Sequence, residues 1–393
     1  MGKAVTAIST FIILGIVARS YGESGTGIFT LALTYLAIFF QLGDFGFNAH
    51  LLGQLHGDRG KLQLEWRQLL GTRLIWSVIL VALAVGLLPV WPFTTNDFAK
   101  AVVFGCLAIV GSAVFTTSNL VFQTKLTFGR SVLASGLGTI FYLGLVAWLA
   151  GTKSPVAILV LAQALGWLAI GTLSLLLLKK FISNIMPIFD IRYSINLIKQ
   201  SWPVAATLGL NIVYFRSDAF MIAYFRNASE VGIYNVAYQV FQIVLVLPAF
   251  IMNSYYPLML GVLKKGQEPF NKQIKLAAMA LLSLALLSTV ATYYLAPWII
   301  YVLTGGGFAG GVESLRILSL GFPAYFVTAL FIWVMVAKKR YYLMLLIYAI
   351  GLLFNLLLNF IYIPQGSFYA ASWITVLSEY LILILQLGSL LWL

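Results

Sequence analysis

The sequence predicts an all-α polytopic membrane protein of about twelve transmembrane helices, arranged as two six-helix lobes around a central cavity. Three observations carry that expectation. Of 393 residues, 61% are hydrophobic and only 9% charged, whereas an average soluble domain carries about 25% charged residues. Apolar stretches of roughly 20 residues, each long enough to cross a ~30 Å hydrocarbon core, recur from one end of the chain to the other. Between them lie short loops holding most of the basic residues, the pattern that sets membrane orientation. The same composition excludes a soluble enzyme, a secreted disulfide scaffold and a disordered interaction protein. The net charge of +13 reads as orientation in a bilayer rather than nucleic-acid binding.

In chain order the spans fall at 4–19, 26–50, 69–91, 99–123, 131–150, 156–178, 202–225, 231–256, 276–303, 312–336, 343–363 and 368–393. Turn residues mark the breaks: Gly22, Pro92, Gly151 with Pro155, Pro187, Gly266 with Pro269, the run Gly305–Gly307, and Pro364 with Gly366. The first span reads as a helix rather than a cleaved leader, because Arg19 follows it at once and no small-x-small site closes it. With the N-terminus in the cytoplasm, eighteen Lys and Arg fall on cytoplasmic loops. Five lie outside (Arg19, Lys100, Lys153, Arg226 and Arg316), and Arg216 remains inside a span. This alternation predicts a multi-pass membrane protein with cytoplasmic termini. Arg73 and Lys125, near cytoplasmic span ends, read as snorkelled interfacial bases or cavity residues.

A short repeat supports two lobes. Gly27-Ile28-Phe29-x-x-Ala32 opens the second span and Gly232-Ile233-Tyr234-x-x-Ala237 the eighth, 205 positions later. An even number of spans separates them, so the repeat is parallel. The expected organisation is an N-terminal lobe over 1–178, a basic cytoplasmic connector over 179–200 and a C-terminal lobe over 201–393.

Polar residues recur at helical spacing within spans. The second has Gln41, Asp44 and Asn48; the fourth Ser112, Thr116, Asn119 and Gln123; the eleventh Asn355 and Asn359; the twelfth Ser372, Thr375, Glu379 and Gln386. Each set lies on one helix face. Interhelical hydrogen bonding explains any one stripe, and a shared water-filled cavity explains stripes in both halves. Arg216, Asp218 and Glu379 sit near mid-span, where a charge costs at least ~2.5–3.5 kcal/mol without a partner or water. Arg216 is too far from either end to snorkel easily. Residues two apart project about 200° from each other, so Arg216 and Asp218 cannot both face one lumen. Arg19 and Glu23, just beyond the first helix, read as an outer gate or as solvated loop charges. Pro203, Pro248 and Pro323 permit kinks within or beside spans.

Other signals carry less. Gly305-Gly306-Gly307-Phe308-Ala309-Gly310 satisfies G-x-G-x-x-G, but no strand precedes it; it reads as a flexible loop. Asn227-Ala228-Ser229 is a formal glycosylation sequon. Cys106 is alone, and His50 with His56 reads as a solvated interfacial pair ahead of a metal pair, so no metal site or cofactor is expected.

The ordered elements Ala18-Arg19-x-x-Gly22, Leu42-Gly43-Asp44-Phe45-Gly46, Trp202-Pro203, Arg216-Ser217-Asp218, Val231-Gly232-Ile233-Tyr234, Pro257, Leu315-x-x-Leu318 and Tyr369-Ala370-Ala371-Ser372 resemble the polysaccharide-exporter, or Wzx-type flippase, branch of the multidrug/oligosaccharidyl-lipid/polysaccharide superfamily. The resemblance covers nearly the whole chain. It implies flipping of an undecaprenyl-diphosphate-linked oligosaccharide, such as an O-antigen unit of lipopolysaccharide, by alternating access. A monomer working beside glycan polymerase machinery is the expected state.

Carried over by position, Arg216, Asp218 and Asp44 become cavity or gate residues. The residues themselves suit such cargo. Arg216 offsets the desolvation of a diphosphate, while Asn119, Gln123, Asn355 and Asn359 supply amides for sugar hydroxyls. Asp218 or Glu379 is placed to couple transport to H+ or Na+, with Asp44, Arg19 and Arg73 as gates. Two alternatives stand beside this reading. One is a cation-coupled drug exporter of the same superfamily, which a central arginine disfavours. The other is a membrane glycosyltransferase or polymerase acting on lipid-linked sugar, which short outer loops disfavour.

Overall fold

The computed structural model describes residues 2–52, 59–91 and 93–391; His56 lies outside them. All described regular structure is helical. The helices are α1 (Gly2–Asp44), α2 (Phe47–Leu52), α3 (Arg59–Gly86), α4 (Asn96–Gly105), α5 (Leu107–Thr124), α6 (Phe128–Gly151), α7 (Val156–Leu178), α8 (Ile191–Phe225), α9 (Ala228–Leu263), α10 (Gln267–Thr304), α11 (Ala309–Ser319), α12 (Phe322–Ala337) and α13 (Tyr341–Leu391).

Eight described helical spans are long and apolar enough to cross a membrane, and the α11–α12 pair, bent by 46°, makes a ninth. Two of the eight exceed a single crossing, at 45 and 49 residues. The helices α1 and α13 each hold one break at a positive φ, Gly22 (φ 63°) in α1 and Ser367 (φ 49°) in α13. At Ser367 the chain doubles back. Asn355 bonds Ser378 across it, and Ile382 lies against Gly351 so closely that a Cβ there would meet it at 2.6 Å. Counting each broken helix as two, with α8 added, gives the twelve segments the sequence predicts.

The helix starts differ from the hydropathy windows at one end. α3, α8 and α10 begin at Arg59, Ile191 and Gln267, before the expected starts at 69, 202 and 276. Charged residues lower a hydropathy window but do not interrupt the backbone ladder, so these helices continue into the basic loops. Arg73 therefore needs correcting. Its side chain is fully buried within α3, which removes the snorkelled reading and leaves the cavity one.

The chain forms two compact units, Met1–Phe220 and Met221–Leu393, and passes from one to the other within α8. In the first unit α5 and α7 pack closely through glycines: a Cβ on Gly111 would lie 2.6 Å from the Trp167 carbonyl. Residues 182–194 run as a strap along α3. Ser183 donates its hydroxyl to Gln63 (2.9 Å), Arg67 Nε donates to the Met186 carbonyl (2.8 Å), and the Ile188 N–H donates to the Arg67 carbonyl (3.0 Å). The Thr72 and Ser194 hydroxyls meet at 2.8 Å, and a Cβ on Gly71 would stand 2.0 Å from the Ile188 oxygen.

Residues of both repeat copies are buried. Phe29 and Ala32 are buried in the first unit, Tyr234 and Ala237 in the second. The glycine-rich run is a turn whose residues Gly305 to Phe308 all have positive φ, which explains its composition without a phosphate site. Asn227 caps α9, accepting the Glu230 N–H at 3.0 Å, so its side chain has a structural task.

Candidate functional site

The first polar centre forms where α1 ends. Phe45 and Gly46 both adopt positive φ, 48° and 72°, turning the chain from α1 into α2. Only glycine suits position 46, because a Cβ there would lie 2.4 Å from Val204 Cγ1. This turn places Asp44, Phe47 and Asn48 around Arg73 of α3. Arg73 Nη2 donates to Asp44 Oδ1 (3.1 Å), to Asn48 Oδ1 (3.1 Å) and to the Asp44 carbonyl (3.4 Å). Its Nη1 donates to Thr117 Oγ1 of α5 at 3.3 Å, and its guanidinium lies 5.6 Å from the Phe47 ring centre. Asn48 Nδ2 in turn donates to the Thr116 carbonyl at 2.8 Å.

Arg73 has 0% side-chain exposure while its partner Asp44 has 37%. The span containing Arg73 starts at Leu62, which puts the guanidinium roughly 16 Å along the helix. An arginine at that depth needs compensation, and a carboxylate, an amide, a hydroxyl and a ring supply it. The result is a charge clamp joining α1, α2, α3 and α5.

The second centre lies on α8 within the first unit. Arg216 is half-buried, whereas Ser217 and Asp218 are buried, Asp218 at 4% exposure. All three are engaged by neighbouring groups. The difference in exposure follows from the ~200° separation of residues two apart on a helix. Asn119 and Gln123 are half-buried on α5. Arg19 is exposed and Glu23 half-buried beside the Gly22 break.

In the second unit three of the expected residues are buried, Glu379 in one hydrogen-bonded set and Asn355 with Asn359 in another. Glu379 is 2% exposed and accepts a hydrogen bond from Thr328 Oγ1 of α12 at 2.5 Å. Tyr348 also faces it. Asn355 Nδ2 donates to Ser378 Oγ (3.3 Å), and Asn359 Nδ2 donates to Asn355 Oδ1 (2.9 Å). Asn355 and Asn359, expected to touch substrate, are thus part of a network between the two arms of α13. Ser372 and Thr375 likewise bond across helices, to Ser314 (3.1 Å) and Tyr234 (3.4 Å). In the second unit, interhelical bonding therefore accounts for most of the stripe. Near the α8–α9 junction, Glu230 binds Arg226 (3.0 Å), Asn227 (3.0 Å) and the Ser367 hydroxyl.

The sequence reading missed Thr117 and Thr328 as partners. Thr328 is the one threonine of α12 and Thr117 one of three in α5, and the significance of each comes only from the charge opposite it. Asn48 did have a signal, lying one turn beyond Asp44 on the same face. Among the described residues no group of His, Cys, Asp or Glu is placed to hold a metal.

Comparisons with known proteins place these features. The fold is similar to that of a lipid II flippase, MurJ, in an inward closed conformation. The TM-score is 0.82 at 14% identity, over 99% of this chain and 86% of that one. An inward-facing multidrug resistance MATE transporter of the MOP superfamily gives 0.70 at 14% identity, over 98% and 93% of the two chains. A MOP superfamily transporter from Pyrococcus furiosus, described as having a binding pocket of reverse polarity, gives 0.56 at 15% identity, over 100% and 94%. No curated protein sequence matches the chain. The fold is thus that of MOP-superfamily membrane transporters, and the chain is a multi-pass membrane protein. A family model described as "Polysaccharide biosynthesis protein" matches residues 1–262, and the chain belongs to that family.

Proposed function

We propose that this protein carries an undecaprenyl-diphosphate-linked oligosaccharide from the cytoplasmic to the outer leaflet by alternating access. The membrane is the inner membrane of a prokaryote, both termini are cytoplasmic, and the carrier works as a monomer beside glycan polymerase machinery. The observation that carries the reading is Arg216. It is a half-buried cation inside α8, nine residues from the helix end at Phe225, or roughly 13 Å at helical rise. An anionic diphosphate headgroup cannot cross hydrocarbon without fixed positive charge, and a guanidinium offers it bidentate hydrogen bonds. Membership of a polysaccharide biosynthesis family supports a saccharide cargo.

The remaining residues take supporting parts. Asn119 and Gln123 offer amides to sugar hydroxyls. Asn355 and Asn359 hold the arms of α13 around Glu379. Glu379 or Asp218 couples transport to H+ or Na+, and Arg19 with the Asp44–Arg73 clamp contributes to gating. Deletion in the native host should accumulate lipid-linked oligosaccharide on the inner leaflet, and Arg216→Ala should fail to relieve it. Rescue by Arg216→Ala equal to the native gene would overturn the assignment. Transport that ignores imposed H+ and Na+ gradients would remove the coupling step alone.

A second reading, cation-coupled export of cationic drugs, has the buried Glu379 in its favour, together with the likeness to multidrug transporters. It requires an acidic lumen. Quaternary ammonium compounds should then stimulate ion flux through the reconstituted protein, an outcome the lipid-carrier reading does not expect.

A further inference from the structure

Beyond Arg216, the α8 face that carries it leads to a group of aromatic rings. Phe220 lies one turn further on, where i and i+4 side chains are neighbours about 6 Å apart. Trp91 stacks on Phe220 with ring centres 5.7 Å apart and planes at 24°. Phe93 lies 6.4 Å from Phe220 and 5.4 Å from Trp91. Behind these three rings is a second layer. Tyr35 and Phe98 are both 1% exposed, and they meet Trp91 and Phe93 edge-on at 6.3 and 5.6 Å.

The two layers differ in burial. The inner rings are sealed, while Trp91, Phe93 and Phe220 are each half-buried and retain uncovered surface. Hydrogen bonds flank Trp91 and Phe93 on either side. The Trp91 N–H reaches the Leu88 carbonyl (3.2 Å), the Thr94 N–H the Trp91 carbonyl (3.1 Å), and the Thr94 hydroxyl the Leu88 carbonyl (2.7 Å). Thr95 then caps α4 by accepting the Phe98 N–H at 3.2 Å. Rings held this way lose little freedom on binding a ligand.

A lipid-facing aromatic belt is the plain alternative. It places tryptophan and tyrosine at an interface, but an arginine one turn away on the same face, well inside the helix, is costly against hydrocarbon. We infer that Trp91, Phe93 and Phe220 form a stacking subsite for the sugar ring bonded directly to the diphosphate held by Arg216. The chemistry is complementary. The C–H face of a pyranose carries partial positive charge and suits the negative face of an aromatic ring, and the glycosyl-phosphate bond puts that ring next to the phosphates. The inference rests on the proposed role of Arg216.

The test uses the full-length protein in nanodiscs and two probes, farnesyl diphosphate and farnesyl-diphosphoryl-N-acetylglucosamine, with binding measured by calorimetry. Native protein should bind the sugar-bearing probe more tightly. Trp91→Leu and Phe93→Leu should each weaken that probe roughly three- to tenfold and leave farnesyl diphosphate unchanged, while Trp91→Tyr, which keeps a ring face, should retain most of the difference. Equal weakening of both probes, or no change in the sugar-bearing one, would overturn the subsite. Arg216→Gln separates the two ideas. If it weakens both probes but Trp91→Leu and Phe93→Leu leave their ratio intact, only the subsite fails. If it weakens neither, the anion role of Arg216 fails.

Discussion

Arg73 shows how a single charge is made tolerable inside a membrane helix. Its compensation comes from Asp44, Asn48 and Thr117 together, so losing one partner leaves a buried cation short of bonds. Asp44→Ala should cost about 1–3 kcal/mol, the cost of leaving a buried charged donor short of one partner, because Arg73 is buried while Asp44 is 37% exposed. The double change Asp44→Ala with Arg73→Met should recover much of that loss. Thermal unfolding in detergent measures both, and a single substitution as mild as the double one would contradict the clamp. In the second unit Thr328→Val removes the hydroxyl that Glu379 accepts from. A loss of about 1–3 kcal/mol is expected, with Thr328→Ser close to native.

These sites were only partly legible beforehand. Asp44, Arg73, Arg216, Asp218 and Glu379 stand out because charge is rare in apolar runs. Which of them pair depends on neighbouring helices, and no local pattern in the sequence encodes that.

At the scale of elements, the Asp44-Phe45-Gly46 segment acquires a physical reason. The turn needs positive φ at two successive residues, and Gly46 also meets Val204 at close range. Gly46→Ala should destabilise the first unit by the ~1–2 kcal/mol of a left-handed residue, plus a steric part. Adding Val204→Ala should relieve only the Cγ1 share of the clash, because the Val204 Cβ still lies 2.6 Å from the added carbon. Full recovery in the double variant would contradict the backbone argument. The Gly71 contact with the Ile188 carbonyl makes a parallel case. Gly71→Ala should lift the strap and increase amide exchange over 183–194, measured by hydrogen exchange with mass spectrometry.

Element boundaries were legible where turn residues cut the chain and obscure where they did not. Ser367 breaks α13 beside Pro364 and Gly366, as their presence suggested. The early starts of α3, α8 and α10 were hidden, because hydropathy reports where lipid begins and not where a helix does.

For the molecule as a whole, the helical segments follow from alternating polarity over the full length, a signal far stronger than any motif. The Gly-Ile-aromatic repeat was short, yet its two copies are buried in different units. The proposed substrate class rests on a charge requirement, since a fixed cation in a membrane helix needs an anion or water. The most direct measurement is translocation by purified protein in proteoliposomes loaded with a labelled undecaprenyl-diphosphate disaccharide, scored by a reagent confined to one side. Native protein should move the lipid across, Arg216→Gln should slow it roughly tenfold or more, and Arg216→Lys should fall between. Translocation by Arg216→Gln at the native rate would contradict the account.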